Sequence, residues 1–370
     1  MDQKRKQSRH QQGMAVVLAL AAMLLVVTAA LELHISERNI MFTAATLGHR
    51  TTASQMAAAG VHLAMAMLIK DRLDSETDSL QEDWADEEAV AAALAEIPFE
   101  QGTLSVKITD EMGKIQINAL LDFPTGNINE TQRNLWLRVT EGLMTVEAGE
   151  SAEDTDPLTI IGSIKDWLDS GDDDATTSLN SAETDYYESL DPPYACKNGP
   201  FDHLSEVALV KGITPEIFYG IGGATGLGQY VTVYGAEKTD DDKFTFPGKI
   251  NINTAEEAVL SAMLTSKGAG DGTATLNYAE MAPAMIEYRE ALSGAVYTND
   301  VTQPNWYKNV PGLAGADIPA ALLSVSSAIF RITATAQYNR VSVTTMAVIQ
   351  REKVSETTPW QCKVLNWHTE

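Results

Sequence analysis

Thirteen Asp and Glu residues fall between Glu150 and Asp191, against a single base, Lys165. Folding such a stretch compactly crowds carboxylates together, and the crowding is relieved either by water or by a bound cation. Calcium suits such a site, because it accepts about six to eight oxygen ligands and weak sites are common in extracellular modules. Asp169, Glu183, Asp185 and Asp191 are the expected ligands, with Asp172 and Asp174 in reserve. The spacing is not that of an EF-hand, since no D-x-[DN]-x-[DN]-G loop occurs. On composition alone, a solvated acidic loop is favoured over the metal site.

A second chemical feature is a peptide bond. The basic leader Lys4, Arg5, Lys6, Arg9 ends at Gly13 and runs directly into the uncharged segment from Met14 to Leu31. A secretory signal is cut after its apolar core, whereas the cut expected here lies before it, at Gly13-Met14, and leaves the apolar helix on the mature chain. Eighteen residues at about 1.5 Å each span roughly 27 Å, close to the bilayer core of about 30 Å. Bases before the segment and acids after it predict one membrane crossing, with the N-terminus in the cytoplasm and the bulk of the chain outside the inner membrane. Counted from Met14, the fifth mature residue is Leu18.

Other chemistries find little support. Cys196 and Cys362 are the two cysteines, with no CxxC and no His at zinc-ligand spacing, so a thiolate metal site is not expected. In an oxidising compartment they can form one disulfide joining the middle of the chain to its tail. No G-x-S-x-G, H-E-x-x-H or G-x-x-x-x-G-K-[ST] motif occurs, and in the cluster Gly220 to Gly228, Thr225 stands where a dinucleotide fingerprint needs its third glycine. A net charge of -25 argues against nucleic acid. The ININTA segment at Ile250 resembles the opening of backbone-binding helix-hairpin-helix modules, yet Lys267 is the one base near its following glycines. Asn251 and Asn253 are therefore expected to cap a helix.

These residues need a frame. Apolar Val61, Met65, Leu68 and Ile69 at helical spacing extend the membrane helix to about Leu73. Alternation predicts a first hairpin from Leu104 to Ile108 and Lys114 to Asn118, and a second from Ala328 to Ala336 and Val341 to Gln350. Cys362 to Trp367 adds an edge strand. The roughly two hundred residues between the hairpins are too many for a loop and predict an inserted helical domain. Within it, Ile117-Asn118-Ala119 and the ININTA segment each precede helical sequence, which suggests a duplication.

The segment from Asp166 to Gly212 carries DWLD, AETDYY, DPPY, NGP, LSE and LVKG, followed later by YVTVYG and ININTA. In this order they closely resemble the K-type minor pseudopilins of type II secretion systems, and the Gly13-Met14 start resembles prepilins generally. The resemblance implies an α+β fold: a pilin-like long N-terminal helix packed on an antiparallel sheet, with a large inserted mostly α-helical domain. The expected layout is a leader at 1–13, a transmembrane and fibre-core helix at 14–33, pilin-like parts at 34–123 and 325–370, and the helical insertion at 124–324.

The resemblance further implies cleavage by prepilin peptidase, N-terminal methylation, and calcium as cofactor in the insertion. Expected partners are the I-type and J-type minor pseudopilins, the major pseudopilin and the inner-membrane assembly platform. Leu18 replaces the glutamate that most family members carry at that position and the K-type lacks. A buried carboxylate there is costly unless it meets a neighbour's free amine, so a subunit without it need not dock on another in that way. The implied role is non-enzymatic: capping a periplasmic fibre tip and helping to initiate its assembly. A pilus-related minor pilin and a membrane-tethered hydrolase are the alternatives.

Overall fold

The computed structural model describes residues 2–99, 101–144, 156–171, 182–239, 243–266, 278–353 and 360–370. One helix, α1, runs from Asp2 to Asp74 without interruption, including across Gly13. Its apolar N-terminal half is exposed from Met14 to Leu47 and is long and apolar enough to cross a membrane. Its C-terminal half buries Ala53, Met56, Ala57, Val61, Ala64 and Leu68, a stripe at three- and four-residue spacing.

That stripe lies on a four-stranded antiparallel sheet made of β1 (Thr103–Asp110), β2 (Ile329–Tyr338), β3 (Val341–Lys353) and β4 (Trp360–Thr369), in that spatial order. Alternate residues Phe330, Ile332, Ala334 and Ala336 of β2 face the helix, as the two-residue strand period requires. The helix approaches closely at Gly60, where a Cβ would stand 2.8 Å from Val106 Cγ2. A short helix α2 (Glu87–Ala95), capped by Asp86, adds Val90 and Leu94 to this core.

The second hairpin is present as the alternation suggests: Tyr338 pairs with Val341, and Asn339 takes the left-handed φ of 54° that the tight turn needs. The edge strand is also present as β4. The first hairpin is not. β1 pairs with β2, more than two hundred residues away, while Ile115–Gln116 forms a two-residue parallel bridge with Val231–Thr232. The reason is burial: Ile115, Ile117, Leu120 and Leu121 are fully enclosed in a second core that extends to Leu322. The helical domain's core therefore begins about ten residues earlier than the 124–324 boundary.

This domain contains two similar units. Ile250–Asn251 forms a parallel bridge with Leu323–Ser324, matching the bridge at Ile115–Gln116. In each unit a 3-10 helix, Leu204–Leu209 or Trp306–Asn309, leads into a glycine turn. Gly212 and Gly312 sit there at φ 87° and 91°, a conformation that strains residues with a Cβ.

The two cores meet at a buried polar knot. Asp110, at the end of β1, accepts from Met112 N at 2.7 Å, Ser327 Oγ at 2.5 Å, Thr254 Oγ1 at 2.6 Å and Asn251 Nδ2 at 3.0 Å. Asn251 also donates to Asp78 O at 3.0 Å, and Ser327 N donates to Asp78 Oδ2 at 2.7 Å. Buried Arg351 of β3 pairs with Asp78 and, at 3.1 Å, with Asp71 of α1. Asn251 and Asn253 are thus clamps between domains, not helix caps; Glu256 occupies the cap position of the following helix. A buried polar side chain seeks partners wherever they are, and here they lie across the junction.

Burial pushes the Asp110 carboxyl up to about 6, against the hydrogen bonds from Ser327, Thr254 and Met112 N. Burial, with the charges of Glu82 and Asp78, pushes Asp71 to about 7 despite Arg351. Both values exceed that of an unfolded Asp, about 3.9, so the folded chain binds these protons more tightly. Their contribution to stability is fully present below about pH 4 and is lost as pH rises through 6 and 7. Thermal melts of the detergent-solubilised chain should show a falling melting temperature from pH 5 to pH 8, with a shallower slope for Asp71→Asn. A flat or rising profile would contradict this assignment.

Candidate cation site

The described part of the acidic segment is organised around one helix, Pro157–Leu168. Asp156 caps it by accepting from Thr159 N at 3.3 Å, and Pro157 occupies the first turn, where its missing N–H has no consequence. Ile160, Ile161, Ile164, Trp167 and Leu168 bury one side of the helix in the second core. Asp166 is fully buried on that helix, while Asp169 is its C-terminal cap in an extended conformation.

Segment 196–199 lies along the end of this helix. Cys196 Sγ donates to Asp166 O at 3.7 Å and Gly199 N donates to Trp167 O at 3.1 Å. Asn198 takes a left-handed φ of 52°, which asparagine tolerates better than most residues. Aromatic rings wall the region: Trp167 stacks on Phe201 at 5.9 Å and meets Tyr187 edge-on at 5.2 Å. Glu183 comes in ahead of the short helix Thr184–Glu188.

One ammonium faces three carboxylates here. Lys165 Nζ is 3.6 Å from Asp166 Oδ1 and is hydrogen-bonded to Asp169. Burial works against the Lys165 charge, but the Asp169 hydrogen bond and the charges of Asp169, Asp166 and Glu183 outweigh it and raise its pKa. Asp169 Oδ1 and Asn198 Oδ1 are both buried with no hydrogen-bond partner among the described residues. Such orphaned acceptors are costly unless something supplies positive charge. The donor set is carboxylate and amide oxygen, which fits a hard cation of the calcium type. Burial pushes the Cys196 thiol up to about 11, so it offers no thiolate to a softer metal.

The expected ligands divide accordingly. Asp169 is bonded to Lys165, and the charge of Glu183 acts on the same ammonium. Asp185 and Asp191 are exposed and are not among its buried oxygens. Asp172 and Asp174 lie outside the described residues. Asp166 and Asn198 were not anticipated, although an Asp within the apolar run from Ile160 to Leu168 and an Asn-Gly pair after a cysteine are both visible signals. The disulfide is corrected: both cysteines are free, Cys196 in the helical domain's core and Cys362 on β4, where its thiol donates to Met65 O at 3.7 Å. Each belongs to a different core. Leu18 and Met14 are exposed on α1.

A second carboxylate group, Asp71, Asp78 and Glu82, brings its oxygens within 4.8 Å of one another, but Arg351 already supplies its positive charge.

Comparison with known proteins places these features. Residues 113–234, which coincide with the first of the two helical units, match the family described as type II secretion system (T2SS), protein K. Type II secretion system protein K of Klebsiella pneumoniae is 27% identical over 218 residues, covering 57% of this chain and 61% of that protein. Its counterpart in Aeromonas hydrophila is 26% identical over 266 residues, covering 69% and 71%. The chain thus spans about three fifths of the first relative's length. A chain in the crystal structure of the GspK-GspI-GspJ complex from the enterotoxigenic Escherichia coli type 2 secretion system superposes with a TM-score of 0.56 at 16% identity. That match covers 88% of this chain and 98% of the other, and shows a shared fold. The matched helical unit, the two relatives and the shared fold agree in likening this chain to type II secretion system protein K.

Proposed function

We propose that this protein is a minor pseudopilin, anchored in the bacterial inner membrane by α1, that caps the tip of a periplasmic pseudopilus and helps to initiate its assembly for protein export. The observation that carries this reading is a large helical domain joined through buried hydrogen bonds to a helix-and-sheet frame of the pilin type. Such bulk beside the frame blocks another subunit from stacking beyond it. Prepilin peptidase cleaves after Gly13 and the new N-terminus at Met14 is methylated; Leu18 removes the carboxylate that would otherwise engage a neighbour's amine. The neighbours are the I-type and J-type minor pseudopilins, with the major pseudopilin below and the assembly platform in the membrane. The solved structural relative comes from a GspK-GspI-GspJ complex, which supports the first two partners. Co-expression of the full chain with I-type and J-type pseudopilins, followed by affinity purification in detergent, should yield a stoichiometric ternary complex. Recovery of the chain alone would contradict the assignment.

Calcium is part of the same reading. Asp166, Asp169, Glu183 and Asn198 would hold it, and the ion would supply the positive charge that Lys165 now provides in part. It would tie the end of the helix Pro157–Leu168 to the segment around Asn198 and stiffen the domain without taking part in any reaction. A ligand that binds only the folded state stabilises it by about 2.7 kcal/mol at a hundred times its dissociation constant. Chelation should therefore lower the melting temperature by several degrees, and Asp166→Asn should abolish the difference. Terbium should give emission sensitised by Trp167, and Lys165→Met should strengthen its binding. No chelator effect together with no terbium signal would restore the solvated-loop alternative.

A further inference from the structure

Strand β1 lies at one edge of the sheet and has β2 as its one paired neighbour. Glu111 N donates to Ile329 O at 3.0 Å, one step beyond the register in which Asp110 faces Phe330. Odd-numbered residues of β1 therefore form the hydrogen-bonded pairs, and the N–H and C=O groups of Ile108 and Asp110 point away from the sheet. None of these four groups has a hydrogen-bond partner among the described residues. They border a cleft of about 520 Å³ between the sheet and the helical domain, within the size range of ligand sites.

Backbone donors and acceptors set along a strand edge are complementary to another extended chain. The two sides of this edge differ in character. On the α1 side the cleft is lined by Leu80 and Ala85; on the other it is lined by Lys107, Lys114 and Arg331. Glu111 engages Lys114 at 3.1 Å and Arg331 at 2.6 Å, whereas Lys107 is exposed and forms no ion pair among the described residues. The acids that line the cleft are otherwise occupied: Asp110 is turned into the polar knot, and Glu256 on the facing wall accepts from Gln229 at 3.3 Å. Since successive side chains of a strand point to opposite faces, a chain laid along β1 would meet apolar surface with one set and a free cation with the other.

We propose that the cleft beside β1 is a strand-addition site for an extended segment of a partner protein that alternates apolar and acidic residues. This goes beyond the pseudopilin reading and does not depend on it.

The test uses the full chain in detergent and a fluorescein-labelled, end-blocked decapeptide of alternating Val and Glu, with a Val and Lys decapeptide as control. Fluorescence anisotropy should show saturable binding of the acidic peptide, weakened about tenfold by Lys107→Glu, a variant of an exposed side chain whose melting temperature checks its folding. Hydrogen exchange at Ile108 and Asp110 should slow in the bound state. An exposed edge lysine can also serve to deter edge-to-edge pairing, and that reading predicts no saturable binding. The proposal is overturned by that result, by equal binding of the basic peptide, by indifference to Lys107→Glu, or by protection that falls on β4 instead of β1.

Discussion

A buried carboxylate, Asp110, has no cation within ion-pair distance among the described residues and is sustained by hydrogen bonds alone. Its donors come from the turn after β1, from the ININTA segment and from the loop leading into β2. Stripped of them, the carboxylate would carry a desolvation cost of several kcal/mol. Backbone bonds also join the three regions, Asn251 N donating to Met112 O at 2.8 Å and Ile252 N to Ser324 O at 3.1 Å, and the carboxylate gathers their side-chain donors at one point. Asp78 and Arg351 extend the same network to the loop after α1 and to β3, so that α1, the sheet and the helical insertion share one hydrogen-bonded centre.

The remaining architecture follows from that centre. A sheet that pairs β1 with β2 across an insertion of more than two hundred residues needs the insertion's two ends held close together, and the knot holds them. Each helical unit is then closed by its own short parallel bridge, with Asn118 and Asn253 in comparable positions, each three residues beyond the first bridge residue. Asn118 bonds to Phe201 and Val233 inside the first unit, while Asn253 bonds to Val325 and Trp306 and also reaches Asp78 O at 3.3 Å. One asparagine thus completes its own unit, and the other completes its unit and docks it on the sheet frame. The proposed cation site lies within the first unit, where a second excess of carboxylates is balanced in part by Lys165. Both centres obey the same rule: buried acid groups are tolerated where donors or cations converge on them.

The sequence made local features legible. Periodicity in α1, the hairpin at Asn339 and the alternation in β4 are properties of neighbouring residues, and each was readable from spacing. The partner of β1 was not, because two alternating segments close in sequence look like a hairpin, and only the burial of Ile115 and Ile117 in another core decides against it. The proposed site was legible only as a region, for a related reason. Charge density marks the acidic segment but does not separate Asp169, which is bonded to Lys165, from Asp185 and Asp191, which are exposed. Asp166 escaped notice because its importance comes from burial on an apolar helix, and Asn198 because its importance comes from a left-handed turn. Cys196 and Cys362 show the converse error: a pair permitted by composition is separated by the two cores.

Scanning calorimetry of the full chain in detergent, wild type against Asn251→Ala, tests the central claim most directly. Removal of this one side chain deprives Asp110, Asp78 and Ser327 of a shared donor, at a cost of about 2–4 kcal/mol for a connected buried network. If the knot couples the cores, the wild type unfolds in one transition, and the variant melts lower and separates into a helical-domain transition and a sheet transition. An Asn251→Ala protein that keeps a single transition at the wild-type temperature would contradict the account.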